Sequence, residues 1–128
     1  MLVNAYDPLA APIPREWLAL SDFERIDLVE AFHVECGDFG DSLRLHASVH
    51  VVVENQLAVR EPSEAAQALE RLMRQGLDRH EAVRAIGAVL AEFLLPILGS
   101  STNPPPFDEP GYREGLRRAS PGSWRGGR

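Results

Sequence analysis

The sequence predicts an all-α domain, an antiparallel four-helix bundle with a short fifth helix at its C-terminal end. Apolar residues recur at steps of three and four in four segments, the periodicity of helices with one buried face. Helix-start pairs, such as Ser21 with Glu24 and Asp78 with Glu81, precede two of these segments. Short loops between helices of comparable length favour antiparallel neighbours. At 128 residues, 45% of them apolar, the chain has the size and composition of one globular domain.

The composition narrows the classes of function. A net charge of -6 argues against non-specific binding of nucleic acid. We find no signal-peptide pattern and no uninterrupted apolar run of the roughly 18 residues that a membrane span needs. Cys36 is the single cysteine, so no intramolecular disulfide can form and a cytoplasmic location is expected. Arginines are concentrated after residue 110, which indicates a tail that binds an anionic partner, folds back on the acidic body or hangs free.

The first half of the chain is read as an arm and two helices. Residues 1–14 contain three prolines and are predicted to be an extended arm, followed by the helical domain at 15–119. The first helix is expected from about Asp22 to Glu35. Its inward stripe is predicted to be Phe23, Ile26, Val29, Phe32 and His33. A cap at Asp41 or Ser42 begins the second helix, which ends near Arg60, ahead of Pro62.

The second half is read as two long helices and one short helix. Pro62 and Ser63 open the third helix, which Gly76 ends, with its inward residues predicted to be Ala66, Leu69, Leu72 and Met73. The fourth helix starts at Asp78 and is expected to bend or end about a turn before Pro96. Its packing face is predicted to be Val83, Ile86, Leu90, Phe93, Leu94 and Ile97, with Gly87 permitting close approach of a neighbour. Asp108 caps a short helix to Arg118, and residues 120–128 are predicted to be disordered.

The second helix carries the most unusual pattern, because His46, His50 and Glu54 recur at steps of four within an apolar segment. Such spacing stacks the three side chains on one helix face. The β-branched run around them is also compatible with a strand, but the length and caps favour a helix. In an antiparallel bundle His33 and His80 can reach the same end, so all four histidines are expected to converge.

These residues form the candidate site. Imidazole and carboxylate groups on one face suit a divalent transition metal, Zn, Fe or Mn, better than Ca or Mg. The predicted ligands are His33, His46, His50, Glu54 and His80. Cys36, one turn after His33, is a further thiolate candidate or a small core residue. The alternative for the histidines is a core position in which each ring is satisfied by a hydrogen bond.

The segments LHASVHVVVENQLA, ALERLMRQGLDRHEAVRAIGAVLAEFL and FDEPGYREGLRR resemble the bacterial domain-of-unknown-function 1841 family, over roughly residues 43–118. The resemblance implies the patterns H-x-x-x-H-x-x-x-E-x-Q and D-x-H-[ED]-A-x-H. It adds Gln56 and Glu81 as residues that support the ligands. Arg84 departs from the pattern, because it stands where the family carries a histidine.

Arg84 has two interpretations. Its guanidinium stays charged and cannot bind a metal, so it either takes the place of the metal charge by pairing with Glu54 or Glu81, or it points to solvent and leaves the histidines to bind metal. In either case the segment His80-Glu81-Ala82-Val83-Arg84 lacks the second histidine of the H-E-x-x-H metalloprotease motif.

Two functions follow from the sequence, and neither assigns catalytic residues. The first is a metal-binding helical protein, with hydrolytic or redox chemistry open. The second is a non-catalytic interaction or assembly module, a homodimer being one candidate, in which a His/Glu/Arg network is buried to fix the bundle. Nucleophilic catalysis finds little support, because Ser48 faces away from the neighbouring histidines, and the chain has no P-loop.

Overall fold

A computed structural model describes residues 5–35, 43–99 and 102–122; the side chains of residues 33–35 and 43 lie outside the description. Over these ranges the chain forms six α-helices and no strand, which confirms the all-α prediction there, while the antiparallel four-helix arrangement stays a prediction. The helices are α1 Pro14–Leu18, α2 Asp22–Glu35, α3 Leu43–Val59, α4 Ser63–Arg74, α5 Arg79–Leu98 and α6 Glu109–Arg118. None of these helices is long and apolar enough to cross a membrane.

The predicted helix starts at Ser21 and Asp78 are confirmed as capping boxes. The amide of Glu24 donates to Ser21 Oγ at 3.2 Å, and the amide of Ser21 donates to Glu24 Oε1 at 2.8 Å. The amide of Glu81 donates to Asp78 Oδ1 at 2.7 Å, with the reciprocal bond at 2.9 Å. Each box satisfies two backbone donors that a helix start would otherwise leave open, so the beginnings of α2 and α5 are fixed by local sequence.

The described part of the N-terminal arm packs on the fold and leads into a short helix, α1, that the sequence did not predict. Pro14 begins α1, where its fixed φ suits the first helical turn. Trp17 is fully buried, and its indole Nε1 donates to Asn55 Oδ1 on α3 at 2.9 Å. Tyr6 and Pro8 are also buried. The described part of the arm, residues 5–13, therefore packs on the helices.

Arg25 explains why the predicted inward stripe of α2 is partly wrong. Its guanidinium turns inward and donates to three carbonyls at the end of α1, those of Trp17, Leu18 and Leu20, at 2.7–3.0 Å. Phe23 is two residues from Arg25 and therefore nearly opposite on the helix, and it is 73% exposed. Val29 is buried as predicted, and Ile26 and Phe32 are half-buried.

Two further predictions need correction. Met73 is exposed, because Leu72 takes the buried position next to it on α4. α5 does not end before Pro96, which was one of the two predicted outcomes, but continues to Leu98. The side chains of Leu95 and Leu98 are exposed there, so water can bond to the carbonyl that Pro96, without an N–H, leaves open. The predicted caps at Asp41 and Ser42, the side chain of His33, residue Cys36 and most of the predicted tail lie outside the described residues.

The apolar core of the described residues forms two clusters on either side of α3. One cluster joins α3 to α4, α5 and α6 through Val53, Leu72, Ile86, Leu90, Tyr112 and Leu116. The other joins α3 to the arm, α1 and α2 through Tyr6, Trp17, Leu20, Val29, Ala47 and Val51. His50 and Glu54 lie between the two sets on the helix circumference of α3. The buried polar side chains of α3 therefore lie at the seam between the clusters.

Candidate functional site

The most buried ion pair in the described residues joins Glu54 and Arg79, which are 2% and 6% exposed. Arg79 Nη2 lies 2.8 Å from Glu54 Oε1, and Arg79 Nη1 lies 2.9 Å from Glu54 Oε2. The pair is thus bidentate, with two parallel hydrogen bonds. Tyr6 donates its hydroxyl to Glu54 Oε2 at 2.6 Å, and Arg79 Nη1 also donates to the carbonyl of Pro8 at 2.9 Å. The ion pair therefore connects α3, α5 and the arm.

The ion pair and its burial shift the acid–base properties of these groups. Burial, together with the neighbouring Glu54 carboxylate, raises the pKa of Tyr6 far above its ordinary value of 10.0. Burial alone lowers the pKa of Arg79, but its hydrogen bond to Glu54 and the carboxylate charge outweigh this, so that the pKa is raised. The phenol stays neutral and the guanidinium stays charged, which keeps the donors of this network in place.

Three of the four histidines form a chain of ring contacts between α3 and α5. The ring centroids of His46 and His50 are 4.7 Å apart, and those of His50 and His80 are 5.9 Å apart. Phe32 of α2 extends the chain, with its ring centroid 5.4 Å from that of His80. The structure therefore brings the rings of His46, His50 and His80 together, while the side chain of His33 lies outside the described residues, so the convergence of all four stays a prediction.

A small cavity of about 210 Å³ borders this histidine chain. His46, His50 and Arg84 line it, together with the small residues Gly87 and Ala88. Arg84 is exposed, Glu54 is paired with Arg79, and Glu81 is the capping partner of Asp78, so neither described carboxylate forms an ion pair with Arg84. Of the two interpretations of Arg84, the geometry agrees with the one in which its side chain faces solvent.

The distances between the imidazole rings can be compared with those expected when two imidazoles bind one metal ion. Two imidazoles on one tetrahedral ion have centroids roughly 5 Å apart, given nitrogen–metal distances of about 2.0–2.1 Å. The separation of His46 and His50 is near this value, and that of His50 and His80 is longer. Across the ranges that the structure describes, no group of three His, Cys, Asp or Glu side chains is arranged to hold a metal ion.

The remaining predicted site residues have other contacts. Glu54, predicted as a ligand, has both carboxylate oxygens bound to Arg79 and Tyr6. Gln56 accepts a hydrogen bond from the hydroxyl of Tyr112 at 2.6 Å, which ties α3 to α6. Burial raises the pKa of Tyr112 to about 12. Glu81 is the capping partner of Asp78.

Arg79 is the site residue that the sequence analysis missed, although a signal was present. It stands four, seven and eleven residues before Val83, Ile86 and Leu90, so it lies on the predicted packing face of α5. Arg25 has the same relation to Val29 and Phe32 on α2. A charged residue in phase with an apolar stripe indicates a buried ion pair or cap. The position of an arginine in such a stripe does not identify the group that it binds.

Comparisons with known proteins add no relative. No protein-family model matches the chain, and no curated protein or solved structure does either. The resemblance to the domain-of-unknown-function 1841 family stays a prediction.

We expect Arg79→Met to lower the free energy of unfolding by about 3–5 kcal/mol, because it leaves the Glu54 carboxylate buried without a cation. Replacing the side chains of the network, Arg79→Met with Glu54→Leu and Tyr6→Phe, should recover most of that loss, since the buried carboxylate is then removed with its partners and only the Pro8 carbonyl loses a donor. Urea unfolding measures both values. Arg44→Met is the matched control, because Arg44 forms an exposed ion pair with Asp27 and Glu30 and its loss should have little effect. A loss below about 1 kcal/mol in Arg79→Met would contradict the described burial.

We expect stability to fall as the pH rises above 10. Both tyrosines of the chain, Tyr6 and Tyr112, have raised pKa values in the folded state and ionise near 10.0 when unfolded. Above that pH the unfolded state binds fewer protons, so the free energy of unfolding decreases, and the Tyr112 contribution ends near pH 12. Urea unfolding at pH 8 and pH 11 measures the loss, which should be smaller in Tyr6→Phe. Phenolate absorbance that develops near pH 10 while the protein remains folded would contradict the prediction.

Proposed function

We propose that this chain is an assembly module that pairs with a second copy of itself through the outer face of α3. The observation that carries the proposal is an exposed apolar stripe on the helix that the two core clusters otherwise enclose. Leu45, Val52 and Val59 are 41%, 37% and 55% exposed and stand seven residues apart. A spacing of seven keeps apolar side chains on one helix face, as in helices that pair lengthwise.

The stripe has the dimensions of a helix-pairing seam. From residue 45 to residue 59 a helix rises by roughly 21 Å. Ser48, a small residue, lies on the same face between the apolar positions. At the α2 side, Arg44 is held by Asp27 and Glu30 at 3.0 and 3.1 Å, so that its charge is compensated at the edge of the seam.

Phe23 extends the apolar surface on the neighbouring helix. It lies one turn before Asp27 on α2, and Asp27 faces α3 through its contact with Arg44. The exposed ring of Phe23 therefore belongs to the flank of α2 that borders the stripe. In this proposal Phe23 and the α3 stripe form one apolar patch, and such a patch, unlike exposed side chains scattered singly, is characteristic of an interaction site.

A second copy is the partner that this pattern fits best. Val52 lies halfway between Leu45 and Val59, so two antiparallel α3 helices related by a two-fold axis at Val52 place Leu45 of each copy opposite Val59 of the other. Because the same patch is used on both copies, one helix supplies a self-complementary surface. In this proposal the Glu54–Arg79 pair has a structural role, because it fixes the rotation of α3 and thereby keeps the stripe outward.

Sedimentation velocity over a range of protein concentrations tests the proposal. We expect the wild-type chain to form a dimer and Val52→Glu to weaken dimerisation at least tenfold, because it places two like charges at the two-fold axis. Leu95→Glu is the matched control, since Leu95 is an exposed apolar residue on α5 and not part of the α3 stripe, and its substitution should leave the dimer unchanged.

Two results would reject the dimer. One is a wild-type chain that stays monomeric at the highest concentration measured. The other is equal weakening by Val52→Glu and Leu95→Glu, because the contact would then not depend on α3.

A second candidate function is the binding of a divalent transition metal by His46, His50 and His80, with His33 as a further predicted ligand. The observation that favours it is the chain of ring contacts from two helices beside the cavity that Arg84 borders. Zn, Fe and Mn are the ions that suit imidazole donors. Since no three described donors are arranged to hold an ion, this candidate requires the rings to rearrange when metal binds.

Metal analysis of protein purified without a histidine tag tests the second candidate. Near-stoichiometric Zn, Fe or Mn, reduced at least tenfold in His50→Asn and unchanged in Arg84→Ala, is the expected result for a metal site. Absence of metal after growth and titration with each ion would reject it and leave the dimer proposal untouched.

A further inference from the structure

The cavity beside the histidine chain is a short groove between α3 and α5. His46 and His50 form its wall on α3. The lining residues of α5 stand at steps of three and four and so share one helix face: Arg84, Gly87, Ala88 and Ala91. From residue 84 to residue 91 the helix rises by roughly 10 Å. The groove therefore has an arginine at one end of its α5 wall and small apolar residues along the rest of that wall.

The small residues of α5 leave the space that a ligand needs. None of Gly87, Ala88 and Ala91 has a side chain larger than a methyl group. The cavity measures about 210 Å³, and a cavity of about 150 Å³ is sufficient for benzene. Ala88 is exposed and Ala91 half-buried, so this wall is reached from solvent. The groove can therefore hold one ring with a small substituent.

Arg84 supplies a positive charge that no described residue compensates. Its side chain is exposed, and it forms no ion pair with any residue in the described ranges. Among the described residues that line the groove, none is acidic. A guanidinium stays charged at every ordinary pH and can bind a carboxylate through two parallel hydrogen bonds. The charge of the described lining therefore favours an anion.

The walls restrict which anion the groove can hold. Since His50 is only 2% exposed, the polar side chains that a ligand can reach are those of Arg84 and the half-buried His46. One guanidinium balances one negative charge. A dianion would keep its second charge beside apolar walls without a partner, which is unfavourable. The groove therefore favours a single carboxylate joined to an apolar body.

We propose that the groove between α3 and α5 binds a small monocarboxylate with an apolar body. The carboxylate pairs with Arg84, and the body lies along Gly87, Ala88 and Ala91. Binding of this kind needs neither a second copy of the chain nor a metal ion, so the inference stands independently of both proposed functions.

Benzoate is the probe, and benzamide is its uncharged control with the same ring and a similar shape. Isothermal titration calorimetry of the full chain in EDTA should detect benzoate binding and at least tenfold weaker binding of benzamide. No measurable binding of benzoate at millimolar concentration, or equal affinity for the two compounds, would overturn the proposal. Benzoate binding that develops only after Zn, Fe or Mn is added would also overturn it, because the metal would then hold the carboxylate.

Variants locate the binding. Arg84→Gln should weaken benzoate binding at least tenfold, because it removes the charge. The matched control is Arg74→Gln, which removes another exposed arginine, on α4, and should leave binding unchanged. Ala88→Leu and Ala91→Leu fill the groove and should each weaken binding at least tenfold.

The two groove-filling variants guard against a folding defect in one of them, and Ala88 is already exposed to solvent. Undiminished benzoate binding in Arg84→Gln, or in whichever groove-filling variant is folded, would overturn the assignment. Equal weakening by Arg84→Gln and Arg74→Gln would do the same, because the attraction would then come from the overall charge of the chain.

Discussion

The two parallel hydrogen bonds between Arg79 and Glu54 are the contact on which the rest of the described structure depends. They join α3 to α5 and, through the hydroxyl of Tyr6 and the carbonyl of Pro8, hold the arm against both helices. Burying two opposite charges is costly unless their geometry is good and their remaining donors and acceptors are used. The contacts supplied by the arm meet part of that requirement. The pair therefore favours one position of the arm and one rotation of α3 over their alternatives.

Much of the helical pattern could be predicted because its causes are local. A capping box needs two residues three apart, so Ser21 with Glu24 and Asp78 with Glu81 specify where α2 and α5 begin. Gly76, with φ of 109°, ends α4 where a left-handed backbone is needed. Phe23 was predicted inward because periodicity alone treats every apolar residue alike. The actual face is set by Arg25, whose partners are backbone carbonyls at the end of α1 and in the connection to α2, which the apolar periodicity does not identify.

In the candidate site, too, the features with local causes could be predicted, and the contacts between distant residues could not. Spacing of four correctly predicted that His46 and His50 share a face, and helix packing brings His80 to them. The spacing could not predict the partner of Glu54, because groups that are distant in the sequence compete to bind this carboxylate. A guanidinium is charged at every ordinary pH and matches both oxygens of a carboxylate, while a neutral imidazole offers one donor. Glu54 therefore pairs with Arg79 and Tyr6, while the three predicted ligands whose side chains are described, His46, His50 and His80, contact one another.

Gly87 sets how far apart α3 and α5 can lie. A Cβ atom at this position would be 3.2 Å from Val49 Cγ1 on α3, closer than most such contacts. The His50–His80 ring contact and the Glu54–Arg79 pair both bridge these helices. A larger residue at position 87 would push α3 and α5 apart. The contacts across this interface can therefore be short only because position 87 has no Cβ atom.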